Sequence, residues 1–188
     1  MIKIGITGSI ASGKSTASKI LSQKRGPLFS ADQAVKKLYR SFNFKKLLIT
    51  KFNINKKSNL KFTIKRKILQ KKSNIKKLEK ILHPLVRKEM KKFTYNNKNK
   101  KLLFYEIPLL IENNLMKFFD LIIFIKAKKK IREKRFKAKD SGKKLFHVLN
   151  KKQLSDKKKI KFCDYVVVNE YNLKILKNNL EDIIKKYA

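Results

Sequence analysis

The stretch Gly8-Ser9-Ile10-Ala11-Ser12-Gly13-Lys14-Ser15 fits the pattern G-x-x-x-x-G-K-[ST] at every required position. The spacing has a physical cause. In such a P-loop, successive backbone N–H groups turn inward around a phosphate, and the helix that follows adds its positive end. Gly13 stands where the backbone must turn tightly against the ligand. Lys14 is placed to reach β- and γ-phosphates as a point charge, and the Ser15 hydroxyl to ligate Mg²⁺. The flanks agree with the motif. Ile2–Ile6 is apolar and rich in β-branched residues, which predicts a buried strand. From Lys14 to Gln23 the apolar positions Ala17, Ile20 and Leu21 recur at helical spacing. Strand, phosphate loop and helix therefore open the chain.

Further along, Gly26-Pro27 predicts a turn, and Leu28-Phe29 starts a second strand expected to end near Asp32. Residues 33–93 are mostly helical in period, with breaks around 53–59 and 73–74 and with His83-Pro84 following a helix. Asn96–Lys100 is a polar loop. Lys101–Tyr105, Leu121–Ile125 and Tyr165–Val168 predict three more strands, and 128–139 a very basic helix. Residues 172–187 end the chain as an amphipathic helix, with Leu173, Leu176, Leu180, Ile183 and Ile184 on one face. Five apolar strands alternating with helices argue for an open parallel sheet covered on both sides. No internal repeat is visible.

Composition narrows the class. The 188 residues suit one domain of ordinary size, possible insertions included, and 42% hydrophobic content is enough for a full core. A single cysteine, Cys163, excludes a disulfide framework, and with two histidines it leaves no multi-cysteine metal site. The longest apolar run, Leu121–Ile125, is too short to cross a bilayer, and no secretory signal is visible; the expectation is a soluble cytoplasmic protein. The net charge is +38, from 51 Lys+Arg against 13 Asp+Glu. Such a balance suggests polyanionic partners. Its make-up points elsewhere. Of the 51 cations 45 are lysine and 6 arginine, dispersed over nearly every segment. Lys, Asn, Ile and Phe, the residues of A/T-rich codons, are abundant, so base drift could produce the pattern without selection for binding. Weak, nonspecific polyanion binding follows under either reading, with no obligate nucleic acid.

Among phosphate-loop proteins, the GTPase N-K-x-D is missing, since Asn97-Lys98-Asn99-Lys100 lacks the aspartate, and no transporter-type L-S-G-G-Q occurs. At this length the small-molecule kinases are left as the leading class. They need a carboxylate near the acceptor hydroxyl and a mobile cationic lid. Asp32, at the carboxyl edge of the sheet, can accept the acceptor's proton, or cap the helix starting near Gln33. Glu106, ending the third strand, is either placed to hold the Mg²⁺ water shell or an ordinary edge glutamate. Glu112 could bind substrate or pair with a lysine. Arg132, Arg135 and Lys139, at i, i+3 and i+7, share a helix face that can clamp transferring phosphate. His83 could touch a ligand, or cap or pack; His147 and Cys163 carry no signal.

Read in order, these residues resemble the dephospho-coenzyme A kinases over nearly the whole chain. The opening I-x-L-T-G-G-I-G-S-G-K-S of that family appears as Ile4 to Ser15, its D-A-D as Ser30-Ala31-Asp32, and its L-H-P-L as Leu82-His83-Pro84-Leu85. Its D-[IV]-P-L-L-[FV]-E appears as Glu106 to Glu112, its lid R-x-x-x-R-D as Arg135 to Asp140, and its late Q and A-D-x-V-I-x-N as Gln153 and Cys163 to Asn169. Ser9 and Ala11 replace two family glycines, Ser30 replaces an aspartate, and Lys139 replaces the second lid arginine.

The resemblance implies an α/β P-loop NTPase core, about 1–32, 76–127 and 160–188, whose five-stranded parallel sheet runs in the order 2-3-1-4-5. A helical acceptor-binding insertion at about 33–75 and a short lid at about 128–159 complete it. The implied reaction is ATP-dependent phosphorylation of the ribose 3′-hydroxyl of dephospho-coenzyme A, by a monomer or small homo-oligomer that needs no membrane. Asp32 would be the base, with Lys14 and Arg135 also catalytic. Gly8, Ser9, Ile10, Ala11, Ser12, Gly13, Lys14, Ser15, Thr16, Lys139 and Asn169 would bind ATP. Ser15 and Glu106 would hold Mg²⁺, and Asp32, His83, Pro108, Leu109 and Glu112 the acceptor. Two readings compete: another P-loop kinase of the nucleoside or shikimate type, or a catalytically weak P-loop protein that binds RNA through its lysines.

Overall fold

A computed structural model of the chain describes residues 1–55, 57–71, 73–138 and 143–187, which fold as two compact units. The first comprises Met1–Ser30 and Asn97–Ala188. Its sheet has five parallel strands, β1 (Ile2–Gly8), β2 (Leu28–Ser30), β3 (Leu102–Glu106), β4 (Leu121–Lys126) and β5 (Tyr165–Val168), in the order β2-β3-β1-β4-β5. The order puts β1 in the centre between β3 and β4, and nearly all residues of these three strands are buried. Unbroken runs such as Leu121–Ile125 belong there, because a centrally placed parallel strand meets no solvent.

One face is covered by α1 (Lys14–Ser22) and α9 (Leu173–Ile184). Ala17 and Leu21 of α1, with Leu176, Leu180, Ile183 and Ile184 of α9, pack against Ile4, Ile6, Phe104, Ile123 and Val167. Leu173, expected on the same stripe, lies at the first turn of α9 and is 65% exposed. Phe119, beyond a 3-10 turn at Met116–Phe118, meets Tyr105 edge to face at 5.3 Å. The remaining helices of this unit are α6 (Lys129–Lys137), α7 (Lys143–Lys152) and α8 (Asp156–Ile160).

The second unit, Ala31–Asn96, is helical: α2 (Ala31–Leu38), α3 (Phe42–Phe52), α4 (Leu60–Gln70) and α5 (Ser73–Asn96). Phe44, Leu48, Phe52, Ile54 and Ile64 form its core, with Leu78, Ile81, Leu82 and Leu85 packed against them. The break at 53–59 is sealed by Asn53, which takes a left-handed φ of 47° after α3, and by Asn59, whose side chain accepts the Phe62 N–H at 3.2 Å to start α4.

Three local expectations are corrected. The second strand ends at Ser30, so Asp32 lies in the first turn of α2 rather than at the strand end. A turn at 39–41 divides what the periodicity runs together. His83-Pro84 does not follow a helix but lies inside α5. Proline there removes one backbone N–H and crowds the preceding turn, a cost of about 3 kcal/mol. Leu78, Ile81, Leu82 and Leu85, on both sides of Pro84, are held in the core, and that packing carries the helix through. Among the described residues no helix is long and apolar enough to cross a membrane.

Candidate active site

The phosphate loop hangs between the end of β1 and the start of α1. Gly8 closes the strand at φ 154°, and a Cβ there would lie 2.4 Å from the Ile125 carbonyl oxygen. Gly13 caps α1 at φ 95° with no side-chain hydrogen bond, and no acidic residue stands in the helix's first turn. The N–H groups that a side chain would otherwise cap are thus left for an anion. Between the glycines the loop turns on a Ser12 N–H to Ser9 carbonyl bond of 3.1 Å. Ala11 holds φ 58°, a conformation costing a non-glycine residue about 1–2 kcal/mol.

Side chains converge on this loop. The Lys14 ammonium, buried, donates to the Ser9 carbonyl at 3.0 Å. The Ser15 hydroxyl donates to a carboxylate oxygen of Glu106, which ends β3 and is buried. Asn169, just past β5, donates its side-chain amide to the Ser12 carbonyl at 2.8 Å. Arg135, on α6, donates to the Asn169 carbonyl at 2.9 Å and reaches the same Ser12 carbonyl at 3.5 Å. The first turn of α1 also opens on a cleft of about 650 Å³, lined by Ser15, Thr16, Lys19, Ile20, Leu173 and Lys174 among others.

The Glu106–Glu112 segment is tied in at both ends. The Thr7 hydroxyl donates to the Pro108 carbonyl at 3.4 Å, and the Ile107 N–H to the Ile6 carbonyl at 3.0 Å. Pro108 and Leu109 keep part of their surface in solvent. Glu112 accepts the Leu154 N–H at 3.1 Å and pairs at 3.2 Å with the fully buried Lys159, so the lysine pairing read from the sequence is present.

Three contacts to the loop were not anticipated. Gln153 accepts the Ile10 N–H at 2.8 Å, and the Ser9 hydroxyl donates to Asp156. Arg132 is buried, donating to the Ile10 carbonyl at 3.3 Å, the Asn150 side chain at 2.8 Å and the Ala127 carbonyl at 3.0 Å. Its guanidinium also lies over the Phe146 ring. Burial lowers the pKa of Arg132, and the nearby Asp156 pulls it back up. Arg132 thus shares the helix face read from the sequence with Arg135, yet it is spent on backbone and side-chain acceptors. Lys139 lies outside the described residues. Gln153 carried a signal only as part of the quoted pattern; Asp156, 147 positions from Ser9, carried none.

In the helical unit, Asp32 is exposed on the first turn of α2. His83 is partly buried within α5, and burial holds its pKa below 6.5, Glu79 pulling it up and Arg87 pushing it down.

Residues 2–174 match the family described as dephospho-CoA kinase. A dephospho-CoA kinase of Bartonella henselae is 34% identical, over 97% of this chain and 96% of that one. That of Fusobacterium nucleatum is 32% identical, over 97% and 93%. In architecture the chain is similar to a solved protein of Thermus thermophilus, with a TM-score of 0.84, 24% identity, and 100% and 98% of the two chains covered.

Proposed function

The chain belongs to the dephospho-coenzyme A kinase family and is an ATP-dependent kinase of dephospho-coenzyme A, a step of coenzyme A synthesis; from that premise we propose which of its residues perform the transfer to the ribose 3′-hydroxyl. The observation that carries the assignment is the convergence of Lys14, Ser15, Glu106, Arg135 and Asn169 on one glycine-bounded loop.

Gly8 to Thr16 take the triphosphate, their N–H groups turned on its oxygens. Ser15 and Glu106 bring a hydroxyl and a carboxylate into contact, two hard oxygen donors of the kind Mg²⁺ accepts when most of its remaining ligands are water and phosphate. They would hold that ion, which would supply neutralisation of phosphate charge. No group of three or more His, Cys, Asp or Glu that could hold a metal ion gathers among the described residues. Lys14 turns from the Ser9 carbonyl to the γ-phosphate. Arg135, with Lys139, neutralises charge that grows on the transferring group. Asn169 lies beside the adenine and keeps the loop's last turn in place.

Asp32 accepts the proton of the 3′-hydroxyl as its oxygen bonds to the γ-phosphorus and the bond to the ADP oxygen breaks. His83, Pro108, Leu109 and Glu112 hold the acceptor. In support, one Glu112 oxygen is buried without a hydrogen-bond partner, so an acceptor donor could satisfy it. The segment at about 33–75 serves as the acceptor-binding insertion and that at about 128–159 as the lid on a P-loop core. We place the enzyme in the cytoplasm as a monomer or small homo-oligomer; polyanion binding through its lysines is weak and incidental.

The test is a product assay by mass spectrometry with MgATP and dephospho-coenzyme A, and with adenosine, uridine and shikimate as rival acceptors. Coenzyme A and ADP formed in equal amounts with the first acceptor alone is the expected result. A product on another acceptor, or none on any, overturns the assignment.

A further inference from the structure

The rim of the phosphate loop is braced from outside by three contacts at two successive residues, Ser9 and Ile10. The Ser9 hydroxyl, almost fully buried, donates to Asp156. The Ile10 N–H is taken by Gln153 and its carbonyl by Arg132. The next residue, Ala11, stands at φ 58°, where an alanine remains only if its surroundings over-determine it. The acceptors come from one short segment at the start of α8. Asp156 is the first residue of α8, whose N-cap Ser155 accepts the Lys158 N–H, and Gln153 lies just before it.

That element is itself anchored in the core. Lys159 of α8 has no exposed surface, pairs with Glu112 at 3.2 Å and lies 5.8 Å from the centre of the Phe124 ring on β4. Glu112 in turn accepts the Leu154 N–H, between Gln153 and Asp156. A buried ion pair with a single geometry resists sliding, since displacing either partner strands a desolvated charge.

Asp156 makes no sense as a phosphate ligand. A carboxylate near phosphates opposes their charge, and here the nearby Arg132 offsets it. What it does offer is a strong acceptor for one hydroxyl, which a glycine at position 9 would not supply. We propose that Asp156, acting through Ser9, is a positioning residue that together with Gln153 holds the phosphate loop in its nucleotide-receiving conformation, with the Lys159–Glu112 pair as its footing. The proposal rests on reading this loop as the nucleotide site.

The test uses the full chain and variants Asp156→Ala, Asp156→Asn, Ser9→Ala and the Ser9→Ala/Asp156→Ala double. ADP affinity with Mg²⁺ is measured by calorimetry, and KM for ATP and kcat by turnover. Asp156→Ala and Ser9→Ala should each weaken ADP binding about tenfold, the size of one charge-assisted hydrogen bond, and raise KM for ATP alike while kcat changes less. The double variant should be no worse than either single one. Asp156→Asn keeps an acceptor and should recover most of the loss. Additive losses, an asparagine as damaging as alanine, or unaltered ADP affinity would each overturn the proposal. Should Asp156→Ala fail to fold, Ser9→Ala and Asp156→Asn carry the same comparison. ADP binding needs no acceptor, so a wild-type chain that binds ADP but leaves dephospho-coenzyme A unphosphorylated sinks the functional assignment while leaving this one standing.

Discussion

Replacing Gly13 by alanine tests the loop, the helix cap and Asn169 together. Gly13 sits at φ 95°, a backbone state that costs an L-residue about 1–2 kcal/mol. An added Cβ would also lie 2.0 Å from the Asn169 Nδ2, a separation no pair of non-bonded heavy atoms tolerates. The amide must leave, and with it goes the 2.8 Å bond to the Ser12 carbonyl, worth about 1 kcal/mol. The sum, about 2–3 kcal/mol, is charged to the conformation that binds phosphate, so Gly13→Ala should weaken ADP binding roughly 30- to 150-fold. The two parts separate in a cycle. Asn169→Ala alone should cost about fivefold, the share of one hydrogen bond. In that background nothing remains at 2.0 Å, so adding Gly13→Ala should cost only the backbone share, about 5- to 30-fold. Calorimetric titration of ADP with Mg²⁺ reads all four proteins. An affinity within about threefold of wild type for Gly13→Ala would refute the geometry, as would a glycine penalty of the same size with and without Asn169.

Other outcomes follow from the same contacts and charges. Asp32→Asn should cut kcat by about 10²–10⁴-fold with ADP affinity unchanged, and an unaltered kcat removes its role as base. The Cys163 thiol is pushed up to about 12 by burial first and the Asp164 charge second, with Lys159 opposing; iodoacetamide at about pH 8 should therefore label the folded chain roughly three orders of magnitude more slowly than the urea-unfolded chain, and equal rates would contradict that burial. His83 titrates below 6.5 in the fold because it is partly buried, so the unfolded chain takes its proton first and stability should be full above about 6.5 and fall as pH drops through the lower folded value. Urea midpoints at about pH 7.5 and about pH 5 should show a larger drop for wild type than for His83→Gln; identical drops would show that His83 is not their source.

What the sequence made legible was local. The loop Gly8–Ser15 is one contiguous pattern with its strand before and its helix after, and Leu121–Ile125 is apolar because a central strand has no wet face. Ser15 and Glu106 were recognisable as chemistry before being found in contact, since each stands at the end of an element that faces the ligand in such sheets. Where reading failed, the cause lay beyond the window. Pro84 marks a boundary by every local rule, and only the packing of residues on both sides of it keeps α5 whole. Asp32 was placed one element too early, because Ser30-Ala31-Asp32 is equally good as a strand end or a first helical turn. Asp156 stands in a lysine-rich run and reaches Ser9 across 147 positions. Nothing in its neighbours separates it from a carboxylate on a solvated face.

The same difficulty attaches to the cations, and burial resolves it. With 51 of them in the chain, any single lysine or arginine reads as surface. A charge is kept out of water only where acceptors replace the lost solvation, so desolvation sorts the few from the many. Among the residues whose exposure is described, three cations are buried: Lys14, Arg132 and Lys159. Lys14 lies on the phosphate loop, Arg132 holds the Ile10 carbonyl, and Lys159 anchors the helix from which Asp156 reaches Ser9. Each touches the loop or the footing of its brace. The remaining described cations keep contact with water, where a charge costs little and one lysine substitutes for another. The large positive excess is therefore a property of the surface, while the buried cations are few and each sits at or behind the phosphate loop.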